Sequence, residues 1–353
     1  MITVLSFVIV FGALILLHEL GHFVTAKLSG VKVLEFGMGF PPKLLSFKRG
    51  ETTYTLNLLP LGGFVKMMGE EDPSHPCSLA GKPIPVRAAV ISAGPFMNGV
   101  LACALFAIVA MIPLKTDVGN VNVVNVADNS PAATAGLLPG DTITHVNGRR
   151  IENFGDLQYQ YQLRLGATAT TKVLRDGEPL AFDLIPRWKK PADQGPTGIR
   201  IGMTDVETVS RSKPPWEAIP HAGKRIADTV VLMKNGIASW FIGDSDPLEE
   251  ITGPIGIAQV TGEFAKLGIV PLLTLAAVLS LNLAIMNILP LPALDGGRLL
   301  FIVIEFARRG KRISPQKEAL VHLTGFVVLI LLIFAVSYND ILRITRGDSI
   351  LGG

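Results

Sequence analysis

The chain has 353 residues, of which 49% are hydrophobic and 17% charged, the charged share falling well below the roughly 25% of soluble domains. Its mean hydropathy is +0.44. This excludes an ordinary soluble enzyme, a disordered chain and a collagen-like one, and leaves room for membrane spans plus one soluble domain. A formal net charge of +3 is too small an excess to indicate nucleic acid, and two cysteines, Cys77 and Cys103, make no disulfide scaffold.

A membrane span takes about 20 mostly apolar residues. Residues 1–26 supply the first, with no charge before Glu19. This segment lacks a basic start and a small-x-small cleavage site, so it reads as a retained helix rather than a signal peptide. Residues 27–86 are basic and contain β-rich pieces, Lys43–Lys48 and Thr52–Leu59, about the turn Arg49-Gly50-Glu51. They are too apolar for a free loop, and are expected to form a hairpin dipping into the inner membrane face. An open strand edge there could take an unwound peptide as an added strand. Residues 87–113 form the second span.

Residues 116–205 read as a soluble α+β domain. A glycine-bracketed loop, Ala135–Asp141, precedes a hairpin turning at Asn147-Gly148. A helix follows over about Asn153–Leu165, then two strands around Arg175-Asp176-Gly177-Glu178. Residues 206–265 are a connector. Trp216, Ile219, Ile226, Val230 and Met233 recur in it at near-helical spacing between charges, which suggests an amphipathic helix on the outer membrane surface or under the soluble domain. Residues 266–297 are the third span, 298–317 a short basic loop, 318–338 the fourth span and 339–353 a tail.

Lysine and arginine crowd the segment after the first span and the loop after the third, and none precedes Lys27. The positive-inside rule then places both basic segments in the cytoplasm, and both termini and the 116–205 domain outside.

Chemistry concentrates in His18-Glu19-Leu20-Gly21-His22. On a helix, positions four apart share a face about 6 Å apart along the axis. Two imidazoles so placed can reach one zinc ion, with Glu19 beside them to take a proton from water. Ionisable residues at the inner end of an apolar span are costly unless they face a protein interior or a wet cavity. Catalytic zinc takes three protein ligands, so a third is required. The third span also runs inward and ends in Asn287-Ile288-Leu289-Pro290-Leu291-Pro292-Ala293-Leu294-Asp295-Gly296-Gly297. Asp295 is therefore expected at the depth of His22, on a helix broken by its prolines where it lines a cavity. His322, near the start of the fourth span, is the rival ligand.

With these residues in place, the chain resembles the site-2 protease family of intramembrane zinc metalloproteases, in its bacterial RseP-like branch. Five blocks in family order carry the resemblance: His18–Phe23; Phe36–Lys43 with Leu59–Met67; Ala93–Asn98; Gly253–Gly256; and Asn282-Leu283 with Asn287–Gly297. Pro41 and Gly99 depart from the pattern, away from the proposed chemistry. The resemblance implies a multi-pass α-helical membrane protein of four transmembrane helices, with a membrane-associated β-hairpin region and one inserted extracytoplasmic PDZ domain over 116–205. It implies a Zn2+ endopeptidase in which His18, His22 and Asp295 hold the metal and Glu19 activates water. Asn287, Asn282, Gly62 and Gly63 would contact substrate, Asn287 by holding its backbone and stabilising the oxyanion. The implied setting is the bacterial cytoplasmic (inner) membrane, with the active site near the cytoplasmic face. Single-pass membrane proteins would be the substrates: anti-sigma factors, which would give a role in stress response, or remnant signal peptides. The PDZ domain would bind peptide or act as a size filter.

Two rivals come from other classes. One is a membrane adaptor that gathers partners through its PDZ domain and keeps a non-catalytic metal; the intact Glu19 argues against it. The other is a metal transporter, opposed by the scarcity of intramembrane carboxylates and the lack of an inverted repeat.

Overall fold

The computed structural model describes residues 2–70, 72–191, 193–243 and 251–346. The chain divides into two compact units, one of residues 1–109 with 251–353 and the other of residues 110–250.

In the first unit, helix α1 (Ile2–Leu28) runs unbroken through the His18–His22 motif. Strands β1 (Val33–Arg49) and β2 (Thr52–Met67) follow and pair antiparallel, from Arg49↔Thr52 beside the turn to Val33↔Met67 at the base. Gly50 makes the turn with φ 62°. Both strands outrun the short pieces legible in the sequence. Pro41, Pro42 and several glycines interrupt the alternation there, and the ladder absorbs them through repeated register shifts.

Helix α2 (Ile84–Met111) comes next. Ala26, Val31, Val33, Met67, Leu79 and Val90 form one buried cluster, which fixes the hairpin base between the end of α1 and the start of α2. Small residues let the helix backbones meet: a Cβ on Gly21 would lie 2.4 Å from the Ala93 carbonyl oxygen.

After the second unit, the chain returns with α6 (Pro254–Leu267), α7 (Ile269–Ile288), α8 (Asp295–Ala307) and α9 (Pro315–Arg346). Asp340 of α9, 1% exposed, accepts the N–H groups of Gly253 and Gly256 at the start of α6, at 3.2 and 2.9 Å. These amides have no partner within their own helix. Segment 266–297 is two helices, since Pro290 and Pro292 end α7 and the chain turns back through Ala293 (φ 72°) into α8. The basic stretch after Asp295, expected as a loop, is helical to Ala307. Leu299 to Ile304 is an unbroken apolar run within it, and Arg87 of α2 donates to its buried Glu305 at 2.6 Å.

Helices α1, α2, α7 and α9 are long and apolar enough to cross a membrane.

In the second unit, β3 (Leu114–Val126), β4 (Thr142–Val146), β5 (Arg149–Arg150), β6 (Ala169–Arg175), β7 (Glu178–Leu184) and β8 (Ile199–Arg211) form an antiparallel sheet. Its order is β7-β6-β4-β3-β8, with β5 on β4. Helices α3 (Pro131–Ala135) and α4 (Phe154–Gln162) cover a core that includes Val121, Leu137, Ile143, Leu157, Tyr161 and Val173. The pairing Leu114↔Arg211 extends the domain beyond both limits expected for it. Helix α5 (Pro215–Ile242) is tied to this sheet domain. Arg149 donates to both oxygens of Asp228 at 2.6 and 2.9 Å, and Asn235 donates to the Gln162 carbonyl at 2.8 Å.

Candidate active site

The first unit brings three donors together. His18 Nε2 and His22 Nε2 lie 3.1 and 3.2 Å from the same oxygen, Oδ2 of Asp295, and 3.2 Å from each other. The α-helical spacing of four stacks the two imidazoles on one face of α1. Asp295 reaches them because α8 starts at this residue, after the proline break. Gly296 and Gly297 make the fold-back possible. A Cβ on Gly296 would sit 2.0 Å from the Leu289 carbonyl oxygen, and one on Gly297 2.4 Å from that of Leu291.

Among the described residues, His18, His22 and Asp295 form the group whose donor atoms could hold a metal ion, all within 4.8 Å of one another. Two imidazoles and a carboxylate suit zinc and form a three-ligand set of the catalytic kind. The proton arrangement at His22 also fits a metal. Its Nδ1 lies 2.8 Å from the Val90 carbonyl oxygen, which can only accept. Nδ1 therefore carries the proton, and Nε2 keeps its lone pair toward Asp295 and His18. His322 belongs to a different contact: its Nδ1 accepts the Ala293 N–H at 3.1 Å and so braces the break before Asp295.

The donors line a cavity of about 410 Å³ whose wall includes Glu19, Phe64, Lys66, Glu70 and Arg298. Glu19 stands on the same helix between the two histidines, with β2 directly alongside. A Cβ on Gly63 would be 2.7 Å from Glu19 Cγ, so only glycine lets the strand pass so close. Gly62, with φ 95°, turns the strand just before this approach. Asn282 is exposed on α7 and Asn287 is half-buried one residue before its end. Neither lines the cavity among the described residues.

Sequence reasoning missed the support from α2. Val90 holds His22; Asn98 Nδ2 lies 3.2 Å from His18 Nδ1; and a Cβ on Gly94 would come within 2.2 Å of His22 Nε2. It also missed Arg298, which reaches Glu70 at 2.9 Å on the cavity wall. The signal was present in part, as the Ala93–Asn98 block, but nothing in the block names its partners.

An HExxH helix, a distant aspartate completing the donor set and a fold built on long apolar helices define a membrane metalloprotease. Residues 6–332 match the model of peptidase family M50, and the chain belongs to this family, that of the site-2 proteases. It is 31% identical to the regulator of sigma-W protease RasP of Bacillus subtilis, across 97% of this chain and 99% of that protein. It is likewise 31% identical to the zinc metalloprotease RasP of Geobacillus kaustophilus, across 96% and 97%. A Clostridium acetobutylicum protein provisionally named a zinc metalloprotease is 35% identical across 95% and 96%. The chain is thus a membrane-embedded zinc metalloprotease.

Proposed function

We propose that this protease hydrolyses peptide bonds within the membrane-spanning segments of single-pass membrane proteins, with His18, His22 and Asp295 as zinc ligands and Glu19 as general base. The observation that carries this reading is the donor set itself. Three convergent ligands and a glutamate face one cavity at the end of an apolar helix, with a strand beside the glutamate. Zinc held there would supply the Lewis acidity that makes water nucleophilic at neutral pH. Glu19 takes the proton of the attacking water and then delivers it to the nitrogen of the departing amine. The side chains of His18, His22 and Asp295 are 13, 8 and 19% exposed, and β2 offers the scissile segment a strand to pair with once its helix has unwound. Gly62 and Gly63 let that strand pass next to Glu19. Asn287, at the end of α7, would hold substrate backbone, and Asn282 would meet the substrate further up the same helix.

The same reading assigns the cytoplasmic membrane as the location, with both termini and the 116–205 domain outside and the active site toward the cytoplasm. The support is the loop charge, since the basic segments flank the site-bearing ends of α1 and α7. The sheet domain serves as a PDZ domain. A cavity of about 300 Å³ between α4 and β8, lined by Leu157, Tyr161, Ile199 and Ile201, supports that assignment. Substrates of the anti-sigma-factor kind are favoured by the sigma-W regulator among the relatives; remnant signal peptides share the single-span form.

The test is cleavage of a tagged single-span protein by purified enzyme in lipid vesicles, wild type against Glu19→Gln. The expected outcome is a rate lower by about 10²- to 10⁴-fold, with membrane level and zinc content unchanged. Equal product from both proteins would remove Glu19 from the mechanism.

A further inference from the structure

The chain passes from α7 into α8 through Leu291-Pro292-Ala293-Leu294, and the Leu294 N–H closes this turn on the Leu291 carbonyl at 3.3 Å. A proline at the second position and a positive φ of 72° at the third are the marks of a type II turn. That third position normally takes glycine, because a side chain there crowds the backbone. Here it takes alanine. A residue held in a disfavoured conformation persists only where its surroundings over-determine it, and such residues gather at functional sites. Asp295, two residues further on, is one of the three converging donors.

The surroundings that hold Ala293 come from α9. His322 Nδ1 accepts the Ala293 N–H at 3.1 Å. The imidazole also meets the Phe301 ring of α8, with centroids 5.6 Å apart. Three residues along α9, Gly325 brings the helix onto the same turn, where a Cβ would lie 2.2 Å from Pro292 Cβ. Helix α9 therefore meets both central residues of the turn, Ala293 by a hydrogen bond and Pro292 by close packing. A return of Ala293 to negative φ would swing its N–H away from His322 and carry Leu294 and Asp295 with it. Zinc–ligand distances tolerate about 0.2 Å, far less than a change of turn type produces.

We propose that His322 is a positioning residue for the metal site: it holds Ala293 in the left-handed conformation and thereby sets Asp295 against His18 and His22. The proposal rests on Asp295 being a zinc ligand. It predicts an effect of α9 on metal binding that passes through one backbone torsion. Alanine disfavours the left-handed conformation by about 5- to 30-fold in population. Without the hold of His322, the fraction of molecules with Asp295 in place falls by that factor, and the apparent zinc affinity falls with it. Glycine takes both signs of φ about equally, so with glycine at 293 the same loss costs only about twofold.

The test is zinc affinity of the full-length protein in detergent, by competition with a chelator. His322→Leu is expected to bind about 5- to 30-fold more weakly. His322→Asn, whose Oδ1 can take the place of Nδ1 as acceptor, should stay within about threefold of wild type. The double variant His322→Leu with Ala293→Gly should also return to within about threefold. Wild-type affinity in His322→Leu would overturn the proposal. So would a loss that Ala293→Gly fails to recover, since His322 would then act on the site by another route than the turn.

A second variant leaves position 322 alone. Ala293→Val puts a β-branched residue, a poor occupant of positive φ, into the same turn and should weaken zinc at least about fivefold. Unchanged affinity there would refute the coupling of turn to site, whatever His322→Leu does. Zinc stoichiometry of Asp295→Ala separates the two levels of the argument: normal zinc there sinks the ligand assignment, whereas lost zinc with a normal His322→Leu sinks only the role of His322.

Discussion

Gly94→Ala should empty the proposed metal site by steric displacement alone. The new Cβ would stand 2.2 Å from His22 Nε2, 2.7 Å from its Cε1 and 2.8 Å from His18 Cε1. Ordinary heavy-atom contact is about 3.5 Å, so the His22 ring must retreat by about 1.3 Å or α2 must back away from α1. Neither movement is free. The ring is tethered to Val90 through a 2.8 Å hydrogen bond. A retreat of the helix would open its close packing on α1 at Ala93 and Gly21 and strain the Ser280–Asn98 and Arg87–Glu305 hydrogen bonds. Zinc–ligand distances tolerate about 0.2 Å, several-fold less than the displacement. The expected result is zinc content far below one ion per chain and no measurable proteolysis, with a stability loss of about 1–3 kcal/mol from overpacking. Gly99→Ala is the control on the same helix: a Cβ there meets nothing within 4 Å, so full zinc and full activity are expected. Metal analysis of the two purified variants decides the matter. A Gly94→Ala protein holding one zinc with wild-type affinity would refute the packing argument.

Three further outcomes follow from the geometry. Gly63→Ala places a Cβ 2.7 Å from Glu19 Cγ but touches no metal donor; zinc should stay bound while kcat falls about 10- to 100-fold through a misplaced base, and equal loss of zinc would show that the strand supports the ligands instead. Asp141 is buried in the sheet domain. Burial pushes its carboxyl up, but the Arg175 guanidinium at 2.6 and 2.8 Å and the Leu138 N–H outweigh that and hold it below the usual carboxylate range. A depressed value stabilises the fold above the unfolded pKa of about 3.9 and ceases to do so as pH falls through the folded value. Calorimetry of the full chain should therefore show this domain losing stability below about pH 4, with a smaller loss in Asp141→Asn, which should start about 1.5–3 kcal/mol less stable at neutral pH. Asp340→Leu removes the acceptor of two N–H groups at the start of α6 and should cost about 1–3 kcal/mol, read as faster proteolysis of that helix with zinc content intact.

The parts legible in the sequence were those in which chemistry and periodicity coincide. The spacing of His18 and His22 speaks for itself on a helix, and the depth argument singled out Asp295 because a carboxylate at the end of an apolar span is expensive unless used. Local chemistry hid other parts. The hairpin read as two short strands because Pro41, Pro42 and the glycines near them are loop residues by propensity, whereas the β1–β2 ladder takes them up in register shifts. Helix α8 read as loop because Arg298 and the cations after Ala307 mark the stretch as basic, although Leu299 to Ile304 is an unbroken apolar run. The Gly253–Gly256 block stood out as a pattern, yet its function lies in a hydrogen bond to Asp340, more than 80 residues away.

Helix α2 is the clearest case of a function that pattern alone cannot reveal. It supplies no metal donor, yet Val90, Gly94 and Asn98, each four residues from the next, form a single stripe along it. Val90 accepts from His22, Gly94 clears the space both rings occupy, and Asn98 meets His18. The order is reversed relative to α1, later residues of one helix meeting earlier residues of the other, as two antiparallel neighbours require. A carbonyl oxygen and a missing Cβ have no signature among side chains, and a buried asparagine in an apolar helix reads as a link between helices. Each acquires its meaning only against the histidine it faces. Along this stripe a side chain at Gly94 would crowd both histidine rings at once, whereas Gly99, just past Asn98, faces open space. The candidate metal site thus draws its donors from α1 and α8, while α2 packs against the two histidine rings.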